Sequence, residues 1–235
     1  MLRVMLLSLL VFGGNSVGAL VAEFTSFSDR WRNRALHAAA GIVFAVVAVE
    51  IMPQALEVLA GWQIAASFLI GGSVYLGVQA LIERRSAGRS RMWMIYLAVA
   101  TDLFGDGLLI GSGSAVSASL GLVLAFGQVL ADAPEGAAAS ATFAANDVPR
   151  KRRLLLTASF VLPATIGAAF SYLALRNQPE ATQFAVLVAT AGLFSVAAFE
   201  DMITEAHDAA DDSRTSTAAL LIGFATFTLV SAGLG

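Results

Sequence analysis

Long apolar runs, broken at short intervals by clusters of charge, dominate this chain. A helix needs about 20 mostly apolar residues to cross a bilayer. Eight runs of that kind can be read, over residues 4–26, 35–57, 62–82, 93–113, 116–145, 154–175, 181–203 and 216–234. The connections between them are short and hold no low-complexity linker, so little chain remains for a separate soluble domain. The pattern predicts an all-α integral membrane protein, a single transmembrane domain over residues 1–235. The first run opens with Arg3 and passes small residues near Gly18, as a secretory leader does. Leu20, Val21 and Ala22 carry it on to spanning length, so it reads as a span and not as a cleaved segment.

The polar positions between the runs are as informative as the runs. With eight spans, the odd-numbered loops share one side of the membrane. They hold Arg30, Arg32 and Arg34, then Arg84, Arg85, Arg89 and Arg91, then Arg150, Lys151, Arg152 and Arg153, and finally Arg214. The other side keeps only Arg3 and Arg176. Basic residues concentrate on the cytoplasmic face, so both termini are expected outside. A faint repeat joins two of the runs. An offset of 151 sets Gly41–Leu56 against Gly192–His207, with Glu50 opposite Asp201 and Ala55 opposite Ala206. The second and seventh spans run in opposite directions, the arrangement of an inverted repeat.

Composition agrees with a bilayer as the solvent. The chain is 57% hydrophobic and 13% charged, against roughly 25% charged residues in soluble domains. Its mean hydropathy is +0.76. Cysteine is absent, which removes disulfides, thiolate ligands and cysteine nucleophiles. A cell-membrane location follows, the inner membrane if the host is Gram-negative.

Against that background four acids stand out. The fourth run, in ATDLFGDGLLIG, carries Asp102 and Asp106; the fifth, in GQVLADAPEGAA, carries Asp132 and Glu135. A carboxylate at the centre of a span costs roughly 2.5–3.5 kcal/mol on insertion scales. Four uncompensated would cost on the order of 10 kcal/mol. No Lys or Arg lies within either apolar stretch to pair with them. Protonation, a water-filled cavity or a bound cation remain as compensation. At about 100° per residue, Asp102 and Asp106 share one helix face, and so do Gln128, Asp132 and Glu135. If the two runs pack as a hairpin about the small-residue turn at Ser112–Ser117, the stripes gather hard oxygen donors suited to a divalent metal. Pro134 removes a helical hydrogen bond and frees the carbonyl of Leu130 nearby. Gln128 reads either as a further ligand or as a hydrogen-bonding residue between helices.

The stretches DLFGDGLLIG and ADAPEGAA, taken as a pair, resemble the signatures of the ZIP (Zrt/Irt-like) family of divalent metal transporters, in a divergent, bacterial-type form. That family's fourth span reads His-Asn-x-x-(Asp/Glu)-Gly-Leu-Ala-x-Gly and its fifth His-Glu-x-Pro-(His/Glu)-Gly. FEDMITEAH in the seventh run resembles the stretch ending in Ile-Pro-Glu-x-His. The resemblance implies eight helices in a 3+2+3 arrangement and a homodimer. It also implies alternating access in which spans one, four, five and six move against two, three, seven and eight. It places Asp102 at the first motif's histidine, Asp106 at its acidic position and Glu135 at the acidic position of the second motif. Ala131 replaces a ligand, with Asp132 beside it. Leu103 and Leu162 take the places of a second metal's ligands, so one metal site is expected. The expected substrate is a divalent cation entering the cytoplasm. Zinc comes first by resemblance; an all-oxygen donor set suits harder ions such as Mn²⁺ or Fe²⁺, and Cd²⁺ stays open.

Glu200, Asp201, Glu205 and His207, with His37 at the same depth on the second run, read either as an exit relay for the ion or as solvated charges at a helix end. Asp208, Asp211 and Asp212 read as surface residues. Glu50 lies deeper, as a secondary ion contact or part of an interface. Two other classes compete. An intramembrane aspartyl protease needs its two aspartates on different helices, one after Gly-x-Gly, whereas Leu103, Phe104 and Gly105 precede Asp106; no enzyme is expected. A proton-linked carrier of an organic solute would use cavity carboxylates equally well, but beyond Phe104 and Phe126 no mid-membrane aromatic or base is evident to hold such a solute.

Overall fold

The computed structural model describes residues 1–25, 27–86, 91–210 and 213–234; among these there is no strand. Among the described residues the helices run as rods in this order: α1 (Leu2–Phe24), α2 (Asp29–Val58), α3 (Gly61–Ser86), α4 (Arg91–Val116), α5 (Ala118–Ala145), α6 (Arg150–Leu175), α7 (Glu180–Asp208) and α8 (Arg214–Leu234). Seven are long and apolar enough to cross a membrane, which gives the chain the build of a multi-pass membrane protein. The exception is α5. It is 28 residues long, but Gln128, Asp132, Pro134 and Glu135 dilute its apolar run.

Most rods extend a few residues beyond the apolar runs because capping groups and basic ends join the helices. In α2 the helix starts at Asp29, where the Ser28 side chain accepts from the backbone N–H of Trp31. The corresponding cap of α5 is Ser117, accepting from Leu120. Such caps satisfy N–H groups that a helix start leaves unpaired. Two interruptions have local causes. The α6 rod breaks at Phe160, three residues before Pro163, whose ring cannot donate to the Ser159 carbonyl. In α2 and α7 the helix widens into π-helical turns at Val46–Ile51 and Ala198–Ile203. Under the 151-residue offset these turns fall one position apart, with Glu50 and Asp201 inside them. Rods α2 and α7 thus share an α–π–α build, one position out of the register of the sequence repeat.

Packing divides the rods into two groups of four. One group pairs α1 with α5 and α4 with α6; the other pairs α2 with α8 and α3 with α7. Contact between the groups runs chiefly through α2 on α5 and α4 on α7. Small residues allow the tight pairings: a side chain at Gly136 of α5 would strike the backbone of Asn15 on α1. Along the seam a large apolar cluster joins Ile51, Leu109, Leu124, Leu187 and Phe194. A second cluster, inside the first group, holds Leu103, Phe143, Phe160 and Ala164.

The α1–α5–α6 end is fastened by charge. Glu23, its side chain 2% exposed, accepts from Arg153 Nε and Nη2 at 2.6 Å each and from Ser140 Oγ at 2.8 Å. Arg153 also donates to the Val148 carbonyl at 2.8 Å, and Arg150 stands 3.3 Å from the same carboxylate.

Candidate functional site

Rods α4 and α5 pack against each other and are joined at Ser117 alone; Ser112–Val116, expected in the turn, still belong to helix α4. The four acids do not share one centre. Asp106 and Asp132 are sealed inside, each 1% exposed, with Gln128 between the helices at the same exposure. The Gln128 Nε2 donates to Asp106 Oδ1. Asp102 and Glu135, one step further along the hairpin, both line a cavity of about 580 Å³. Two of the acids therefore stand at the cavity wall, and the two buried ones do not border it. Among the described residues, no three His, Cys, Asp or Glu side chains stand in the arrangement of a formed metal site.

Several oxygens of these side chains are left without partners. Asp106 Oδ2, Gln128 Oε1, Asp132 Oδ2 and Glu135 Oε1 are buried with no hydrogen-bond partner. Unsatisfied buried oxygens of this kind are costly, and more so when charged. The donor set is entirely oxygen, which matches hard divalent ions in type.

From Asp102 and Glu135 the cavity runs between the two helix groups to the ends of α2, α5 and α7. Glu200, Asp201, Glu205 and Asp208 line its far wall, with Arg32 among them. Asp208 is exposed, as expected of a surface residue, and it also stands at the edge of this cavity. Asp201 accepts a hydrogen bond from Tyr75 of α3. Tyr75, Asp102 and Asp201 also share a smaller cavity of about 340 Å³. On the opposite side of the acids the hairpin is closed by Leu109, Ile110, Leu120 and Leu124, all essentially buried.

Other residues singled out in the sequence fall elsewhere. Glu50 takes hydrogen bonds from Ser231 at 2.6 Å and from Gln54 at 3.1 Å and does not border the cavity. His37 is buried, its Nδ1 2.9 Å from the Asn33 carbonyl; His207 sits 2.6 Å from the Ile203 carbonyl, and the two rings are 6.0 Å apart. Neither histidine lines the acid-walled cavity. Leu103 is buried among apolar side chains, while Leu162 is exposed beside a lateral apolar cavity. Asp211 and Asp212 lie outside the described residues. Tyr75 and the Glu23–Arg153 pair are not anticipated by the sequence. Tyr75 looks like one more apolar-span aromatic, and Glu23 ends an apolar run far in sequence from its partner.

No family model matches this chain, and no curated protein matches it.

Proposed function

We propose that this protein is a permease for divalent cations, similar in plan to the ZIP family. The observation that carries the reading is the row of oxygen donors at the inner end of an acid-walled cavity. Asp102, Asp106, Asp132 and Glu135 are the binding groups. No Lys or Arg of the apolar hairpin neutralises them, so a positive guest is the economical compensation in a low-dielectric slab. Zinc is the first substrate by resemblance; the all-oxygen donor set favours Mn²⁺ or Fe²⁺ more than a histidine-bearing site would.

The cavity opens at the ends of α2, α5 and α7, next to the basic loops. By the bias of basic residues that face is cytoplasmic, and this conformation is inward-open. The ion leaves past Asp102 and Glu135 toward Asp201, Glu205 and Asp208. Alternating access then requires the α1–α4–α5–α6 group to shift against α2–α3–α7–α8. That shift would carry the acids beyond the seal formed by Leu109, Ile110, Leu120 and Leu124. The division of the packing into these two groups supports such a rigid-body movement. Rod α5 crosses the membrane as the eighth span in this scheme, its polar middle sheltered by α1, α2 and α4, and the carrier works as a homodimer.

Calorimetric titration of the purified full chain with Mn²⁺ and Zn²⁺ tests the proposal. Saturable binding is expected for the wild type, with at least tenfold weaker binding in Glu135→Ala. Equal affinities in the two proteins would remove Glu135 from the site and the reading with it.

A further inference from the structure

We infer that Gln128 serves the cation site in two orientations: its amide nitrogen holds Asp106 when the site is empty, and its amide oxygen ligates the ion when the site is filled. The inference rests on the carrier reading of the same hairpin and adds a residue role to it.

Gln128 lies in the middle of α5 and is 1% exposed. Its Nε2 faces Asp106 Oδ1, a carboxylate oxygen that accepts, so Oε1 points away and is left without a partner. A buried amide that satisfies only its donor end is half-used. The neighbouring Asp106 Oδ2 and Asp132 Oδ2 are unpartnered as well. Three buried oxygens on two adjacent helices thus lack a donor, while the Gln128 amide NH2 serves Asp106 Oδ1. That donor partly offsets the negative charge, as a weak stand-in for a cation.

A divalent ion reaching Asp106 reverses the demand. The N–H of Gln128 would then point its positive end at a positive charge, while Oε1 is the dipole end the ion attracts. Turning the amide about its terminal torsion exchanges the two atoms within the same volume, since that torsion is broad and roughly two-fold. No backbone movement is needed. The turned amide supplies a neutral oxygen, adding coordination without another negative charge in the membrane.

The test uses the full-length protein with ¹³C at the glutamine side-chain carbonyls. Infrared difference spectra are taken between Mn²⁺-loaded and ion-free states, with Mn²⁺ affinity measured in parallel. The wild type is expected to show a labelled carbonyl band that shifts on loading. Gln128→Met should lose that band and bind Mn²⁺ about tenfold more weakly. Gln128→Glu keeps an oxygen and loses the donor, and should bind at least as tightly as the wild type. Mn²⁺ binding with no change in the labelled band, or Gln128→Met binding as well as wild type, overturns the role of Gln128 while the carrier reading stands. Weakened binding in Gln128→Glu overturns it equally, and decides the matter if Gln128→Met does not fold. Absence of saturable Mn²⁺ binding in the wild type overturns both.

Discussion

Replacing Glu23 by Ala should destabilise the α1–α5–α6 end by about 3 kcal/mol, the lower end of the range for removing one partner of a buried ion pair. The carboxylate is 2% exposed and takes two 2.6 Å bonds from Arg153 and one of 2.8 Å from Ser140. Truncation leaves the Arg153 guanidinium with the Val148 carbonyl as its remaining close partner. Arg153 keeps 16% of its side chain exposed, so water recovers part of the loss, which is why the low end applies. A loss of about 3 kcal/mol is roughly two orders of magnitude in the folded-to-unfolded ratio. Equilibrium unfolding in detergent micelles, followed by circular dichroism, measures it. The double variant Glu23→Leu with Arg153→Met removes both charges and should recover most of the loss, because an apolar pair of similar volume often replaces a buried ion pair without penalty. A single-variant loss under about 1 kcal/mol, or a double variant no better than the single, would refute the argument that a stranded charge sets the cost.

Two further outcomes follow from packing and placement. Gly136→Val should cost about 3 kcal/mol and lower the yield of monodisperse protein on size exclusion, because the new side chain strikes the Asn15 backbone, which cannot give way as a side-chain tip can. Glu50→Gln should leave Mn²⁺ affinity within about twofold of wild type, since Glu50 is held by Ser231 and Gln54 away from the cavity; calorimetric titration checks this, and a tenfold loss would place Glu50 on the ion's route.

The helical runs were legible because a bilayer demands length and apolarity, and both are written directly in the residues. The acids of α4 and α5 were legible for the complementary reason: Asp102, Asp106, Asp132 and Glu135 are costly where they stand, so their presence calls for compensation. What helix periodicity supplies is a face. It does not supply the register of one helix against its antiparallel partner, and that register puts Asp102 and Glu135 at the cavity wall and leaves Asp106, Gln128 and Asp132 buried without bordering it. The same limit hid the Tyr75–Asp201 bond and the Glu23–Arg153 clamp, whose partners are brought together by tertiary packing. The π-helical turns left only an indirect trace, the alignment of Glu50 with Asp201, because a widened turn has no residue signature of its own. Rod α5 shows the conflict between levels most clearly: the polar residues that give the hairpin its chemistry are those that lower its apolarity as a span.

The most direct measurement is divalent-cation flux into sealed vesicles containing the purified protein, with an ion-sensitive dye trapped inside and a panel of Zn²⁺, Mn²⁺, Fe²⁺ and Cd²⁺ outside. Saturable entry of at least one of these ions, abolished in Asp106→Asn and reduced at least tenfold in Asp102→Asn, is the outcome predicted here. Entry that persists unchanged in both variants, or none above protein-free vesicles for any ion, would contradict the proposal that these carboxylates carry a cation across the membrane.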